Sequence, residues 1–167
     1  PAQTLTYSIV GGADAGKFTI NASSGVLAFA TAPDFETPTD AGTNNIYDVT
    51  VQVSDGLLTA TQAIAVTVTP VNDNTPTITS NGASATAAVS IAENTTAVTT
   101  VTATDADLPA QTLTYSIVGG ADAGKFTINA SSGVLAFATA PDFETPTDAG
   151  TNNIYDVTVQ VSDGLLT

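Results

Sequence analysis

Along most of this chain, apolar and polar residues alternate with a period of two. Tyr47, Val49, Val51 and Val53 are separated by Asp48, Thr50 and Gln52. Ile64, Val66 and Val68 are separated by Ala65 and Thr67, and Leu113, Tyr115 and Ile117 by Thr114 and Ser116. Successive side chains of an extended chain point to opposite faces, so each run predicts a strand with one buried face. Phe126-Thr-Ile128 and Val134-Leu-Ala-Phe137 flank Asn129-Ala-Ser-Ser-Gly133, whose Asn and Gly mark a turn. That stretch predicts a hairpin. No segment keeps its apolar residues at helical spacing. Short strands separated by frequent turns predict an all-β chain of tandem Greek-key sandwiches, each of about seven strands.

The pattern repeats. Residues 1–59 recur without a change as residues 109–167, an offset of 108 positions, whereas residues 60–108 occur once. That period is the size of one domain rather than of a short solenoid unit. Asn72-Asp73-Asn74-Thr75-Pro76 is polar, ends in Pro and separates two strand-rich regions, which makes it the predicted linker. The frame then assigns 1–74 to one repeat and 75–167 to the next. On this frame both sandwiches are truncated by the window. The first lacks its opening strands, and the second stops before the strand that corresponds to 59–69. Open sheet edges invite pairing. Further chain, an identical neighbouring molecule or a filament is therefore expected to complete them. With no initiating Met, signal segment or long apolar run, the sequence reads as a cut from a longer protein.

Charge narrows the function. Sixteen acidic residues face two basic ones, Lys17 and Lys125, for a net charge of −14. Phosphate recognition relies on Lys and Arg, so nucleic acid is excluded as a partner, and insertion into or binding of anionic membrane is disfavoured. There is no Cys and no His. Disulfides, thiolate or imidazole metal sites and most nucleophile–base pairs are therefore unavailable. Any metal must be a hard, oxygen-seeking cation. Apolar residues make up 43% and charged residues only 11%, the balance of a folded chain rather than an acidic tail.

The acids gather in short motifs: Ala92-Glu93-Asn94, Asp105-Ala-Asp107, Asp142-Phe-Glu144 with its copy Asp34-Phe-Glu36, Ser162-Asp163-Gly164 with its copy Ser54-Asp55-Gly56, and the Asn72–Pro76 linker. In this order they resemble the cadherin repeat, whose pattern runs Glu-Asn, Ala-x-Asp-x-Asp, Asp-x-Glu, Ala-x-Asp-x-Gly and Asp-x-Asn-Asp-Asn-x-Pro. Phe126-Thr-Ile-Asn129-Ala-Ser-Ser-Gly133 also fits that family's Phe-x-Ile-Asp-x-x-x-Gly turn. The physical logic is independent of the resemblance. Calcium takes about 6–8 oxygens, and two sandwiches joined end to end can each supply part of that shell. Carboxylates so crowded repel one another unless a cation neutralises them.

Carried over by position, the resemblance implies one calcium junction in this window. It would use Asp34 and Glu36, the side chains of Asn72 and Asp73, the main-chain carbonyls of Val71 and Asn74, and Asp105, Asp107 and Asp163. Glu93, Asp142 and Glu144 would serve the following junction, and Asp55 the preceding one. One departure stands out: the first Asp of the family's linker is Pro70 here, which removes a ligand.

Other readings compete. An isolated Asp-x-Asp is more often a solvated turn than a ligand pair, and it is the five motifs in order that favour calcium. Asp14, Asp40 and Asp48 match no motif and read as surface charge and turn residues. Tyr47 and Tyr155 read as core or corner tyrosines with locally bonded hydroxyls. Threonine-rich faces follow from strand propensity. Glycosidase chemistry at Asp142 and Glu144 lacks an aromatic platform to hold a sugar, so no enzyme is expected. The resemblance, with disulfide-free and near-identical repeats, extends to large bacterial surface adhesins and fibres. It implies a secreted or cell-surface, calcium-rigidified stalk or filament whose partners are neighbouring repeats or identical molecules. The alternative is a module that recognises polysaccharide or a sister repeat.

Overall fold

Alternating segments become strands where a ladder partner is at hand. The computed structural model describes residues 3–167. It divides into two compact units, Pro1–Val71 and Asn72–Thr167. The first contains β1 (Thr6–Gly11), β2 (Phe18–Ile20), β3 (Leu27–Phe29), β4 (Ile46–Ser54) and β5 (Thr59–Thr67). One antiparallel sheet has the order β1-β4-β5, and β2 and β3 form a separate hairpin. The registers Tyr7↔Val53 and Val49↔Ile64 place the alternating apolar residues on one face. That face meets the hairpin. Phe18, Tyr47 and Val49 are buried, with Ile9, Leu27, Phe29, Val51, Ile64, Val66 and Val68 packed around them. The Phe29 ring stacks on Phe18 at 4.6 Å and stands edge-on to Tyr47 at 5.1 Å. Because both layers feed one core, the unit is a β-sandwich. Each fully buried side chain of this size stabilises it by about 1.5–3 kcal/mol.

The second unit contains β6 (Thr77–Ile78), β7 (Ala97–Thr100), β8 (Ala103–Thr104), β9 (Thr114–Gly119), β10 (Phe126–Ile128), β11 (Val134–Phe137) and β12 (Thr158–Ser162). Its sheets run β10-β11-β7, β12-β9 and β6-β8. Phe126, Leu135 and Phe137 form the buried cluster, with Tyr155, Val157 and Val159 against it. The predicted hairpin is present, in the register Phe126↔Phe137. Among the described residues, helix is limited to two single 3-10 turns, Ala15–Lys17 and Ala123–Lys125, and no helix is long and apolar enough to cross a membrane.

Identical sequence does not give identical structure in the two units. Ile46–Val49 is strand because β5 lies beside it, with Ile46↔Thr67 and Tyr47↔Val66 paired. The same residues at 154–157 have no ladder partner among the described residues and are not strand. Tyr47 is 1% exposed, whereas Tyr155 is only half-buried. The opposite holds across the sandwich. β11 pairs with β7, and Leu135 is buried, while its twin Leu27 in the two-stranded hairpin is half-buried.

One group of acids departs from the expectation of surface charge. Asp14 and Asp40 are 4% and 3% exposed, and their copies Asp122 and Asp148 are both 4% exposed. Asp40 accepts from the N–H groups of Gly42, Asn44 and Asn45, each at 3.0 Å. The loop folds around this carboxylate, with Thr43 and Asn45 at positive φ (49° and 61°). Asp14 accepts from Ala41 N–H at 2.7 Å and Asp48 N–H at 2.9 Å, tying the loop to β4. Buried acceptors that satisfy backbone donors are structural parts, and exposure was the wrong inference for these two. Asp48 is exposed, as expected. The tyrosine expectation also holds: Tyr47 and Tyr155 hydroxyls accept from Thr39 and Thr147 N–H at 3.2 and 3.3 Å. Gly12, at φ 105°, is required where the chain crosses β4, because a Cβ there would overlap the Asp48 carbonyl.

Candidate metal centre

Three carboxylates from distant points in the chain converge in the second unit. Asp105 follows β8 directly, Asp107 lies two residues on, and Asp163 follows β12. Oxygens of all three lie within 4.8 Å of one another. Each acid is held by a local turn. Asp105 Oδ1 accepts from Asp107 N–H at 3.0 Å, which folds the Asp-Ala-Asp segment back on itself. Asp163 Oδ1 accepts from Leu165 and Leu166 N–H at 2.7 and 2.6 Å. Burial opposes ionisation of Asp163, but these two N–H groups and Asn72 outweigh it, and its carboxyl lies below the ordinary value.

The linker residues close the other side. Asp107 is 1% exposed, and its Oδ1 accepts from Asn74 Nδ2 at 2.7 Å and Asn74 N–H at 3.2 Å. Asn72, Asp73 and Asn74 therefore belong to the second unit. Asn74 Nδ2 also reaches Asp73 Oδ1 at 3.2 Å. Val71 is exposed, at the end of the first unit.

One feature fits a hard cation. Asp105 Oδ2 is buried and has no hydrogen-bond partner. A buried carboxylate oxygen without a donor is costly unless a positive charge compensates it. Asn72 lines the same cluster: with its amide oriented to satisfy its neighbours, Nδ2 donates to Asp163 Oδ2 at 3.1 Å and Asp107 Oδ2 at 3.3 Å. Oxygen-only donor sets of this kind suit calcium rather than zinc or copper.

A second cluster lies elsewhere in this unit. Oxygens of Glu93, Asp142 and Glu144 lie within 4.8 Å of one another, and all three residues are exposed. Asp142 Oδ1 accepts from Glu144 and Thr145 N–H at 3.0 and 3.3 Å, and Glu93 Oε2 from Phe143 N–H at 3.0 Å. In the first unit, Asp34 Oδ1 makes the same turn with Glu36 and Thr37 N–H at 2.9 and 3.2 Å. Asp55 Oδ1 likewise accepts from Leu57 and Leu58 N–H, which lower its carboxyl. The Asp-Phe-Glu and Ser-Asp-Gly motifs thus make the same turns in both copies. Sequence reasoning missed Gln111, whose Nε2 donates to Asn72 Oδ1 at 3.0 Å. It lies within no acidic motif, and nothing in its local pattern signals it.

These features define a tandem all-β repeat with carboxylate turns clustered outside its strands. The chain belongs to the cadherin-like repeats: residues 87–167 match the family model described as Cadherin domain, and 109–167 are duplicated as 1–59. Protocadherin Fat 2 of Rattus norvegicus is 34% identical over 176 residues, covering 94% of this chain and 4% of that protein. Protocadherin Fat 1 of Homo sapiens is 33% identical over 166 residues, covering 95% and 3%. The solved extracellular domain of protocadherin GammaB4 matches with a TM-score of 0.59 and 28% identity, over 96% of this chain and 25% of that one. Mouse cadherin-23 EC22-24 matches with a TM-score of 0.58 and 27% identity, over 95% and 53%. The chain therefore spans only a few per cent of the length of these curated relatives.

Proposed function

We propose that this chain is a section of an extracellular stalk or filament stiffened by calcium between successive repeats. The observation that carries the reading is the cluster of Asp105, Asp107 and Asp163, with its buried and unpartnered Asp105 oxygen. In this reading Asp105, Asp107, Asp163 and the Asn72 side chain hold one ion. Asp73, the main-chain carbonyls of Val71 and Asn74, and Asp34 and Glu36 of the preceding repeat complete the junction. The order of motifs supports that assignment. Glu93, Asp142 and Glu144 serve the following junction, and Asp55 the preceding one. Bound calcium neutralises the crowded carboxylates and ties them into one shell. The protein's own part is to hold those carboxylates in fixed turns so that little ordering remains to be done on binding. Pro70 in place of a carboxylate removes one ligand from the junction, which weakens one ion or lowers the number held. A net charge of −14 keeps neighbouring chains apart until calcium is present.

The test is thermal unfolding with calcium, with magnesium and with a chelator. Calcium at about 100 times its Kd is expected to add roughly 2.7 kcal/mol per site. A melting temperature unmoved by millimolar calcium would sink the proposal. Small-angle scattering under the same conditions is expected to show a longer, stiffer particle with calcium.

A further inference from the structure

We propose that Asn81-Gly82 is a self-modification site, where the Gly82 amide nitrogen closes on the Asn81 side chain and converts it to aspartate and isoaspartate. The inference is independent of the calcium reading and concerns residues outside every acidic motif.

Asn-Gly occurs once in this chain, in the stretch 60–108 that is not duplicated. Ser80–Ala83 is a tight turn, closed by Ala83 N–H donating to the Ser80 carbonyl at 3.0 Å. Asn81 and Gly82 both have positive φ, 50° and 86°, as a type I′ turn requires. Both are exposed, so water reaches the side-chain amide. Among the described residues Gly82 N–H has no acceptor, which leaves its nitrogen free to lose a proton and attack. A Cβ at Gly82 would meet nothing within 4 Å, so there is room beside the nitrogen for a ring to close.

The electrophile is prepared as well. Thr99 of β7 donates its hydroxyl to Asn81 Oδ1 at 3.2 Å. That bond draws electron density from Cγ and supports the oxygen as it gains negative charge during attack. Asn45, Asn94 and Asn153 share the positive φ but precede Ile46, Thr95 and Ile154. A side chain branched at Cβ crowds the nitrogen that must attack. Backbone shape therefore does not single out Asn81; the following glycine and the Thr99 hydroxyl do.

The chemistry balances with water alone. Solvent base takes the Gly82 proton, the nitrogen bonds to Cγ, and the side-chain nitrogen gains a proton from solvent and leaves as ammonia. The product is a succinimide, which water opens at either carbonyl. Opening at Cγ restores the main chain and leaves aspartate. Opening at the main-chain carbonyl leaves isoaspartate, with the backbone rerouted through the side chain and one methylene longer. Either product adds a negative charge. Isoaspartate also disturbs the Ser80–Ala83 turn, at the rim of an open groove that Ala83 and Ser84 border.

The experiment incubates the full 167-residue chain at mildly alkaline pH and follows every asparagine by peptide mapping with mass spectrometry, separating isoaspartate from aspartate by chromatography. Asn81 is expected to convert first and to give both products. Thr99→Val keeps the branched shape and strand preference but removes the hydroxyl. It should slow conversion about fivefold to tenfold, the worth of one exposed hydrogen bond, and Thr99→Ser should keep the wild-type rate. Asn81 that outlasts Asn74 or Asn94 overturns the proposal. Conversion to aspartate alone, with no isoaspartate, excludes the succinimide and overturns it too. Thr99→Val that reacts as fast as wild type, or faster, overturns the part assigned to Thr99.

Discussion

Asp14 and Asp48 clasp each other through two hydrogen bonds: Asp14 Oδ2 accepts from Asp48 N–H at 2.9 Å, and Asp14 N–H donates to the Asp48 carbonyl at 2.9 Å. The second Asp14 oxygen holds Ala41 N–H, so one buried carboxylate joins the turn before β2 to the loop before β4. Replacing Asp14 with Ala strands two backbone donors in a site that water reaches poorly. The expected loss is about 2–4 kcal/mol, measured by urea unfolding. Asp122→Ala removes the same bonds, to Ala149 and Asp156, from the second unit. The two variants should destabilise different units to a similar degree. A loss below 1 kcal/mol in both, to order of magnitude, would mean that the clasp is only decorative.

Acid should loosen the same loops. Burial raises the carboxyls of Asp40 and Asp148, but the N–H groups of Asn44, Asn45 and Gly42, and of Asn152, Asn153 and Gly150, outweigh it and hold both below the ordinary 3.8. A group with a lowered folded value binds its proton more weakly in the native state than in the unfolded one. Its contribution is therefore complete above the ordinary value and is lost as pH falls below 3.8 through the lowered value. Unfolding free energy in chelator is expected to be nearly flat from pH 7 down to about 5, then to fall. Asp40→Asn with Asp148→Asn should be less stable at neutral pH and show a shallower acid slope. An unchanged slope would assign the acid sensitivity to other carboxylates.

The sequence made the strands legible, because alternation of Tyr47, Val49 and Val51 with polar residues has one physical reading. The motifs it singled out also lie together in the second unit, as Asp105, Asp107 and Asp163 and as Glu93, Asp142 and Glu144. Two things were not legible. Asp40 in Asp-Ala-Gly-Thr-Asn-Asn looks like any solvated turn, and only the loop closing over it makes it buried; the clue was a Gly- and Asn-rich stretch able to adopt positive φ. The absence of strand at 154–157 could not be read from residues that are strand at 46–49, because pairing depends on a neighbour and not on the segment itself.

That dependence can be tested. Val159 and Val161 border an open groove that is also lined by Pro76, Ile78 and Ala85. In the chain of residues 1–167, a synthetic peptide with the sequence of residues 59–69 is expected to pair with 154–162 in the register that Val49↔Ile64 sets in the first unit. Amide hydrogen exchange should slow at 154–157, and Tyr155 should become as protected as Tyr47. A scrambled peptide that binds equally well would show that the edge is merely sticky.

The unchanged duplication of 1–59 carries a hazard for folding. β5 can dock on its own β4 or on the twin strand in the next repeat with the same side-chain contacts, since the two docking edges are letter for letter alike. Contact energy cannot choose between them. What separates them is the chain length that must close: the four-residue turn Asp55–Leu58 against some ninety residues, worth about 3 kcal/mol of loop entropy. Correct assembly of such an array is decided by proximity along the chain and by which segment emerges first from the ribosome, and cross-repeat exchange is its characteristic error.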